Sequence, residues 1–452
     1  MAFPAAMLFT SAMSDSTRYP TARTGCWLVA VLFVTACVSY ADRLVLSVLV
    51  DPLRASLGLT DSAVGVVQGP AFTLIYVFSS LLFGRLSDRR NRRLLLFGGA
   101  SAWCLTTVLC GFAQGFWTLF AGRMLVGISE ATLIPPAISM IADSFAPRSR
   151  GMAVGVFAMG TCVGSPLGIT AGGALLAAAQ GGRFHPLPLV GALEPWRLVL
   201  VLMGLIGFLG PLLILTLSEP PRRENAEGTD LPAAVRHFVS DRRILLPLYL
   251  GMGLLSIGDY SMYAWVPATL SRRFDWPSDR VGVAFGLITA GASVAGALVG
   301  GWISDLWSRR GGTCARLFVC AVAAAAALLG GFCISGDRAA LVLAGLGVWI
   351  FASTCGGVGG IAALQEIVPS QFRGTGVSLL TFCNTLLGLG CGPTLVAVTT
   401  EHAYGVPSSV GFAITTVVAP AAFASCVLFV LARLKLSAAA AEPAPVIATQ
   451  HT

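Results

Sequence analysis

The chain is a succession of long apolar runs, each about 20 residues, separated by short loops that hold most of its arginines. A helix of that length crosses the roughly 30 Å hydrocarbon layer of a bilayer. Lipid offers the backbone no hydrogen-bond partner, so each run must satisfy its own amides as a helix. Twelve spans are predicted, at about 26–49, 64–86, 94–113, 116–142, 151–179, 196–217, 244–269, 281–305, 314–334, 339–365, 374–397 and 410–433. Only 11% of the residues are charged and 56% are hydrophobic, whereas a soluble domain carries roughly 25% charge. Too little polar sequence remains to cover a water-facing surface. The 52 glycines would weaken helices in water, but in a membrane they let helices approach closely. The expected fold class is an all-α membrane protein.

The formal net charge of +8 is carried by arginines in loops between apolar runs, with Lys435 the single lysine. That placement reads as a topology signal, not a nucleic-acid-binding face. Arginine stays protonated in proteins, so any proton traffic must use carboxylates. Twelve cysteines (Cys26, Cys37, Cys104, Cys110, Cys162, Cys314, Cys320, Cys333, Cys355, Cys383, Cys391 and Cys426) fall inside apolar segments, where free thiols act as small hydrophobes. His185, His237, His402 and His451 lie in predicted loops or the tail, and no metal or triad constellation is visible. Residues Met1 to Met13 lack a basic n-region and a clear cleavage site, so they are not read as a signal peptide. Met13 is an alternative start, which would make residues 1–12 an artefact.

One long polar loop, 218–243, holds Pro220, Pro221, Arg222, Arg223, Glu224, Asn225 and Gly228 and breaks helices. It divides the chain into a tail (1–25), a six-helix bundle (26–217), a linker (218–243), a second bundle (244–434) and a closing tail (435–452). With the N-terminus inside, inner loops and tails hold about 20 Lys and Arg against about 7 outside. Both termini and the linker are therefore expected in the cytoplasm, and the chain in the inner (plasma) membrane. The halves look alike: the stretch from Gly84 to Arg93 after the second span matches that from Gly301 to Arg310 after the eighth. The stretch from Asp143 to Gly151 likewise matches Glu366 to Gly374, at spacings of about 217 to 223 residues. Two parallel six-helix repeats place a cavity at their interface, as alternating access requires.

These residues resemble the major facilitator superfamily. Its loop motif after span two is a glycine, a small gap, Asp, Arg, Gly and two basic residues, and Gly84, Asp88, Arg89, Arg92 and Arg93 match it. Asn91 stands for the glycine, and asparagine also tolerates a left-handed backbone. In the second copy Leu306 replaces the arginine and Ser308 the glycine. A closer resemblance is to the spinster-like branch. Tyr40-Ala41-Asp42-Arg43 looks like its span-one signature. Phe116-Trp117, the run from Arg123 through Gly127 to Glu130, and Pro135-Pro136 look like its fourth span. Asn384, Gly388, Gly390, Gly392 and Pro393 look like its eleventh. In eukaryotes the branch exports lysophospholipids and sphingosine-type lipids.

Asp42, Arg43, Arg123, Glu130 and Asp259 fall within spans, where each would cost about 2.5–3.5 kcal/mol or more unless paired or wet. Asp42 and Arg43 are about 100° apart on a helix and cannot pair well with each other. A cross-helix network of Asp42, Arg43, Arg123 and Glu130 is expected, neutral when fully ionised. Protonating Asp42 would leave it positive and loosen it, which makes a proton switch. The competing reading is a static ion-pair cluster. The resemblance implies that the span-one Asp is the protonation site and the span-four Arg and Glu its partners. Tyr76, Asp259, Tyr260, Tyr263, Trp265 and Asn384 are candidates for the substrate cavity, although the aromatic residues equally suit an interface belt.

A latch is expected where Asp88 faces the positive N-terminus of span eleven and Arg92 or Arg93 reaches Asp143. Gly84, Arg89, Arg150 and the mirrored Asp305, Glu366 and Arg373 belong to the same device. Gly160, Gly164, Pro166, Gly172 and Gly173 in span five resemble a loose form of the superfamily's antiporter motif, with Ser165 intervening. No HxxxxD, HExxH, GxSxG or GxxxxGK[ST] pattern occurs, so an enzyme or an ATP-driven pump is not indicated and no cofactor is implied. The expectation is a monomeric, proton-driven carrier of amphipathic or lipid-like solutes. The nearest rival is a symporter or facilitator of a small organic anion clamped by Arg43 and Arg123. A non-transporting receptor is the remote alternative.

Overall fold

The computed structural model describes residues 19–184, 191–222 and 231–441. Met1 to Met13, His185, His451, and Arg223, Glu224, Asn225 and Gly228 of the linker lie outside the described residues. Eleven helices are long and apolar enough to span a bilayer. They are α1 (Ala22–Val48), α2 (Asp61–Arg89), α3 (Arg92–Cys110), α4 (Phe116–Ser144), α5 (Arg148–Gln180), α6 (Pro195–Ile214), α7 (Arg242–Phe274), a run Ser278–Cys333, then α10 (Ala339–Ile367), α11 (Arg373–Tyr404) and α12 (Pro407–Ala439). The run Ser278–Cys333 turns at Gly312, whose φ of 58° and ψ of −149° only glycine adopts cheaply. It is therefore two spans, α8 (278–311) and α9 (313–333), and the spans number twelve among the described residues. A further helix, Leu231–Ser240, lies in the linker.

Side chains set several helix starts. Thr21 and Thr60 cap α1 and α2, and Asn91 Oδ1 accepts Leu94 N at 2.8 Å to cap α3. Asn91, which stands where the loop motif has glycine, has a φ of −64° and serves as an N-cap. The spans near the centre are interrupted. The α-helical part of α1 ends at Leu44 and tightens into a 3₁₀ turn, Val45–Val48. α2 bends at Gly69–Pro70. α4 breaks after Glu130, just ahead of Pro135 and Pro136, which cannot donate to a helical ladder. α11 holds two wide π turns, Asn384–Leu389 and Thr399–Tyr404.

Glycine decides how α5 meets α1. Gly160, Gly164, Gly168 and Gly172 recur every fourth residue, and Cβ atoms there would strike Phe33, Cys37, Ala41 and Val45 in turn. The next face of α5 crosses to the other half, where Thr170 Oγ1 donates to Gly282 O at 2.9 Å. The thiols are not uniformly buried: Cys26 and Cys162 are exposed.

Candidate functional site

The charged centre is built at the breaks in α1 and α4. Arg43 leaves α1 one residue before its α-helical part ends, and Glu130 is the last residue before α4 breaks. They meet in a two-point ion pair, with Arg43 Nη2 and Nε at 2.5 and 3.2 Å from Glu130 Oε2. The Arg43 guanidinium also lies over the rings of Tyr40, Phe72 and Tyr76, at 4.4, 4.5 and 5.3 Å. Asp42 points the other way: its Oδ2 accepts Thr107 Oγ1 of α3 at 2.8 Å, and its Oδ1 has no protein partner. Arg123 sits over Phe72 at 5.5 Å, with Nε and Nη2 unpartnered, and Glu130 Oε1 is likewise open. All four charged residues are buried. The expected four are thus neighbours, but only Arg43 and Glu130 are bonded to each other.

The cavity candidates divide. Asp259 is held from α10, by Trp349 Nε1 at 2.9 Å and Ser353 Oγ at 2.8 Å. Tyr260 and Tyr263 are partly exposed, and Tyr263 packs edge-on against Phe285 at 5.6 Å. Asn384 opens the first π turn of α11, with Oδ1 unpartnered. Tyr76 stacks on Phe72 at 5.2 Å beside Arg43. Trp265 presents no surface: it is fully enclosed, and its Nε1 donates to Pro393 O at 2.8 Å, so it joins α7 to α11 as packing.

At the end of the bundle away from the termini, the halves are bolted together. Arg272 of α7 reaches across to Asp51 at 2.7 Å and to both oxygens of Asp61 at 2.8 and 2.9 Å, and Arg54 adds a contact to Asp61 at 3.1 Å. Ser62 N donates to Glu401 at 3.0 Å and Thr394 Oγ1 to Gly65 O at 3.1 Å. Between the halves at this end lies a cavity of about 670 Å³, lined by Asp51, Glu194, Ser271 and Trp276 among others. Ser56, with Arg197 and Trp196, holds the Glu194 carboxyl below the usual carboxylate range. At the opposite end open space surrounds the Cβ positions of Gly84, Gly151 and Gly374.

Residues 31–393 match the profile of the Major Facilitator Superfamily. The chain belongs to that superfamily. It is 28% identical to an MFS-type efflux pump of Mycolicibacterium smegmatis over 82% of this chain and 84% of that protein. It is 31% identical to protein spinster homolog 1 of Xenopus tropicalis over 65% of this chain and 57% of that one, so the chain spans little more than half of that relative's length. Its fold matches an inward-facing, unoccupied bacterial homolog of the human lysosomal transporter Spinster, with a TM-score of 0.76, 23% identity and coverage of 92% and 96% of the two chains. The chain is accordingly a multi-pass membrane protein of a transporter superfamily, and it is similar to spinster proteins over part of their length.

The superfamily loop motif can now be placed. Arg92 is fully buried, bonded to Asp143, to Glu219 at 2.8 Å, to Ser139 at 2.9 Å and to Pro220 O at 2.7 Å. Arg93 donates to Leu215 O at 2.7 Å. Asp88 and Arg89 are exposed, and among the described residues no bond joins the Asp88 carboxylate to α11. Arg150 donates to Ala142 O at 2.8 Å and Arg373 to Val368 O at 3.3 Å. The mirrored acids Asp305 and Glu366 are joined by Arg316, at 2.9 and 2.8 Å. Sequence reasoning did not single out Arg316, Arg272, Asp51, Asp61, Thr107, Trp349 or Ser353. A weak signal existed for Asp51 and Asp61, acids flanking a short loop, but none marked their partner 211 to 221 residues away.

Proposed function

We propose that this protein is a proton-coupled secondary transporter that exports amphipathic or lipid-like solutes by alternating access, with Asp42 as the group that takes and releases the proton. The observation that supports this reading is Asp42 itself. It is a buried acid within span α1, just ahead of its break, with one oxygen on Thr107 and the other open, beside one arginine in use and one without a bonded partner. When Asp42 is ionised, two carboxylates balance two guanidinium groups. Its protonation leaves one carboxylate between two cations, which repel across α1 and α4 and favour a rearrangement. Glu130 stays on Arg43 and keeps that charge from being stranded.

The bolted end faces outside and the open end faces the cytoplasm if the arginine-rich loops lie inside, as the positive-inside rule directs for a plasma-membrane protein. The structure is then the inward-open state of a monomer. Its return would close Asp88 and Arg89 of α2 against the start of α11. Export fits the efflux relative, and a lipid-like substrate fits the spinster resemblance. A second reading, carriage of a small organic anion, is favoured by the unpartnered Arg123 guanidinium, which is free to take a carboxylate.

The test uses purified protein in liposomes with an imposed pH gradient. Labelled lysophospholipids and small organic acids are offered to wild type and to Asp42→Asn. Lysolipid flux that follows the gradient and disappears in Asp42→Asn is expected. Flux of organic acids alone would move the assignment to the second reading. Equal gradient-driven flux in both proteins would remove Asp42 from the coupling.

A further inference from the structure

The halves repeat at fixed offsets, and the offsets carry the charged centre onto a second place. Asp88 and Asp305 are 217 residues apart, and so are Asp42 of α1 and Asp259 of α7. The same step carries Arg43 onto Tyr260. From α4 to α10 the offset is 223, as between Asp143 and Glu366, and it carries Glu130 onto Ser353 and Arg123 onto Leu346. The geometry follows the same correspondence: α1 bonds to α4 through Arg43 and Glu130, and α7 bonds to α10 through Asp259 and Ser353. The second half therefore keeps the acid and has lost both arginines and the glutamate.

That loss leaves Asp259 unbalanced. Its oxygens receive Trp349 Nε1 and Ser353 Oγ, both neutral donors, and among the described residues no cation comes within ion-pair distance. Of the groups around it, Tyr260 and Tyr263 are neutral neighbours on α7, and Arg43 across the interface acts on Tyr260 but makes its bonds to Glu130. A carboxylate at this depth needs a positive partner or a proton. Its surroundings suit a cation: both tyrosines are partly exposed, and Tyr260 lies against the π turn of α11, where Asn384 Oδ1 has no partner. We propose that Asp259, with Tyr260, Tyr263 and Asn384 around it, is the subsite that recognises a positively charged group, an alkylammonium, on the transported amphiphile. The inference rests on the amphiphile-carrier reading and narrows it: the substrate carries a cation, and Asp42 and Asp259 divide the work between proton and ligand.

The experiment titrates purified protein in zwitterionic nanodiscs by calorimetry, with empty discs subtracted. The probes are decyltrimethylammonium, whose charge is fixed, and decanoate, of equal chain length and opposite charge. Wild type is expected to bind the cation, and Asp259→Asn to weaken that binding by roughly tenfold or more, the size of a charge-assisted bond, without a matching loss for decanoate. Tyr260→Arg restores the internal cation of the first half and should displace the ligand with Asp259 intact, which covers the case of a poorly folded Asn variant. Equal affinity for decyltrimethylammonium in wild type and both variants overturns the proposal and leaves Asp259 a structural or proton-binding acid. Uptake of the same cation into liposomes separates the two readings. Asp259-dependent binding without flux would sink the amphiphile-carrier reading and spare the subsite, and flux indifferent to Asp259 would do the reverse.

Discussion

Arg43 and Glu130 meet because each side chain projects where its helix ends, so two stretches of chain 87 residues apart present charges to each other away from lipid. Removing one member of a buried pair strands the other, at a cost of about 3–5 kcal/mol. Glu130→Gln should therefore lower the melting temperature of the purified protein clearly. A joint Arg43→Met and Glu130→Leu change should recover much of that stability while transport stays lost. Full recovery of transport in the double variant would show that the pair only supports the fold. Glu194 offers a pH test outside the spans. Its folded pKa is depressed, so its contribution is present above the unfolded carboxylate value of about 4.3 and vanishes as pH falls through the lower folded one. Glu194→Gln should melt below wild type at pH 7, and the two curves should converge in acid. A constant gap across that range would mean that the charge of Glu194 plays no part.

At the scale of helices, the four-residue glycine stripe of α5 fixes how closely α5 seats against α1, and α1 carries Asp42 and Arg43. A larger side chain has nowhere to go, because the atoms opposite Gly164 and Gly168 are the backbone of Cys37 and Ala41. Overpacking of this kind costs about 1–3 kcal/mol. Gly168→Val is expected to lower thermal stability by that order and to impair transport through displacement of Asp42. Gly155→Val, which faces open space, should do neither. A stable, fully active Gly168→Val would show that the seat of α5 is loose. The resemblance to an antiporter motif thus has a packing basis whether or not exchange occurs.

For the molecule as a whole, Arg272 joins the halves at one end, so the ion cluster at Asp51 and Asp61 weights the conformational equilibrium. Arg272→Gln removes three charge-assisted bonds and should shift the population roughly tenfold or more toward an opened far end. A cysteine placed at Ser271, in the cavity between the halves, should then react faster with a membrane-impermeant maleimide than in the same protein with Arg272 intact. An unchanged rate would mean that apolar packing alone holds this end.

Much of this architecture follows from the sequence by itself, because crossing lipid obliges each apolar run to be a helix and the arginines mark the loops. The all-helical class, the repeat and the twelve spans were readable on that basis. Whom each charge meets was not. Asp42 bonded Thr107 instead of an arginine, Trp265 turned into packing, and Arg272 found two acids in the other half. Those outcomes depend on where helices break, on glycine-set distances between spans and on which end of the bundle is shut. Contacts between residues hundreds of positions apart carry no local periodicity, so only the packed bundle decides them.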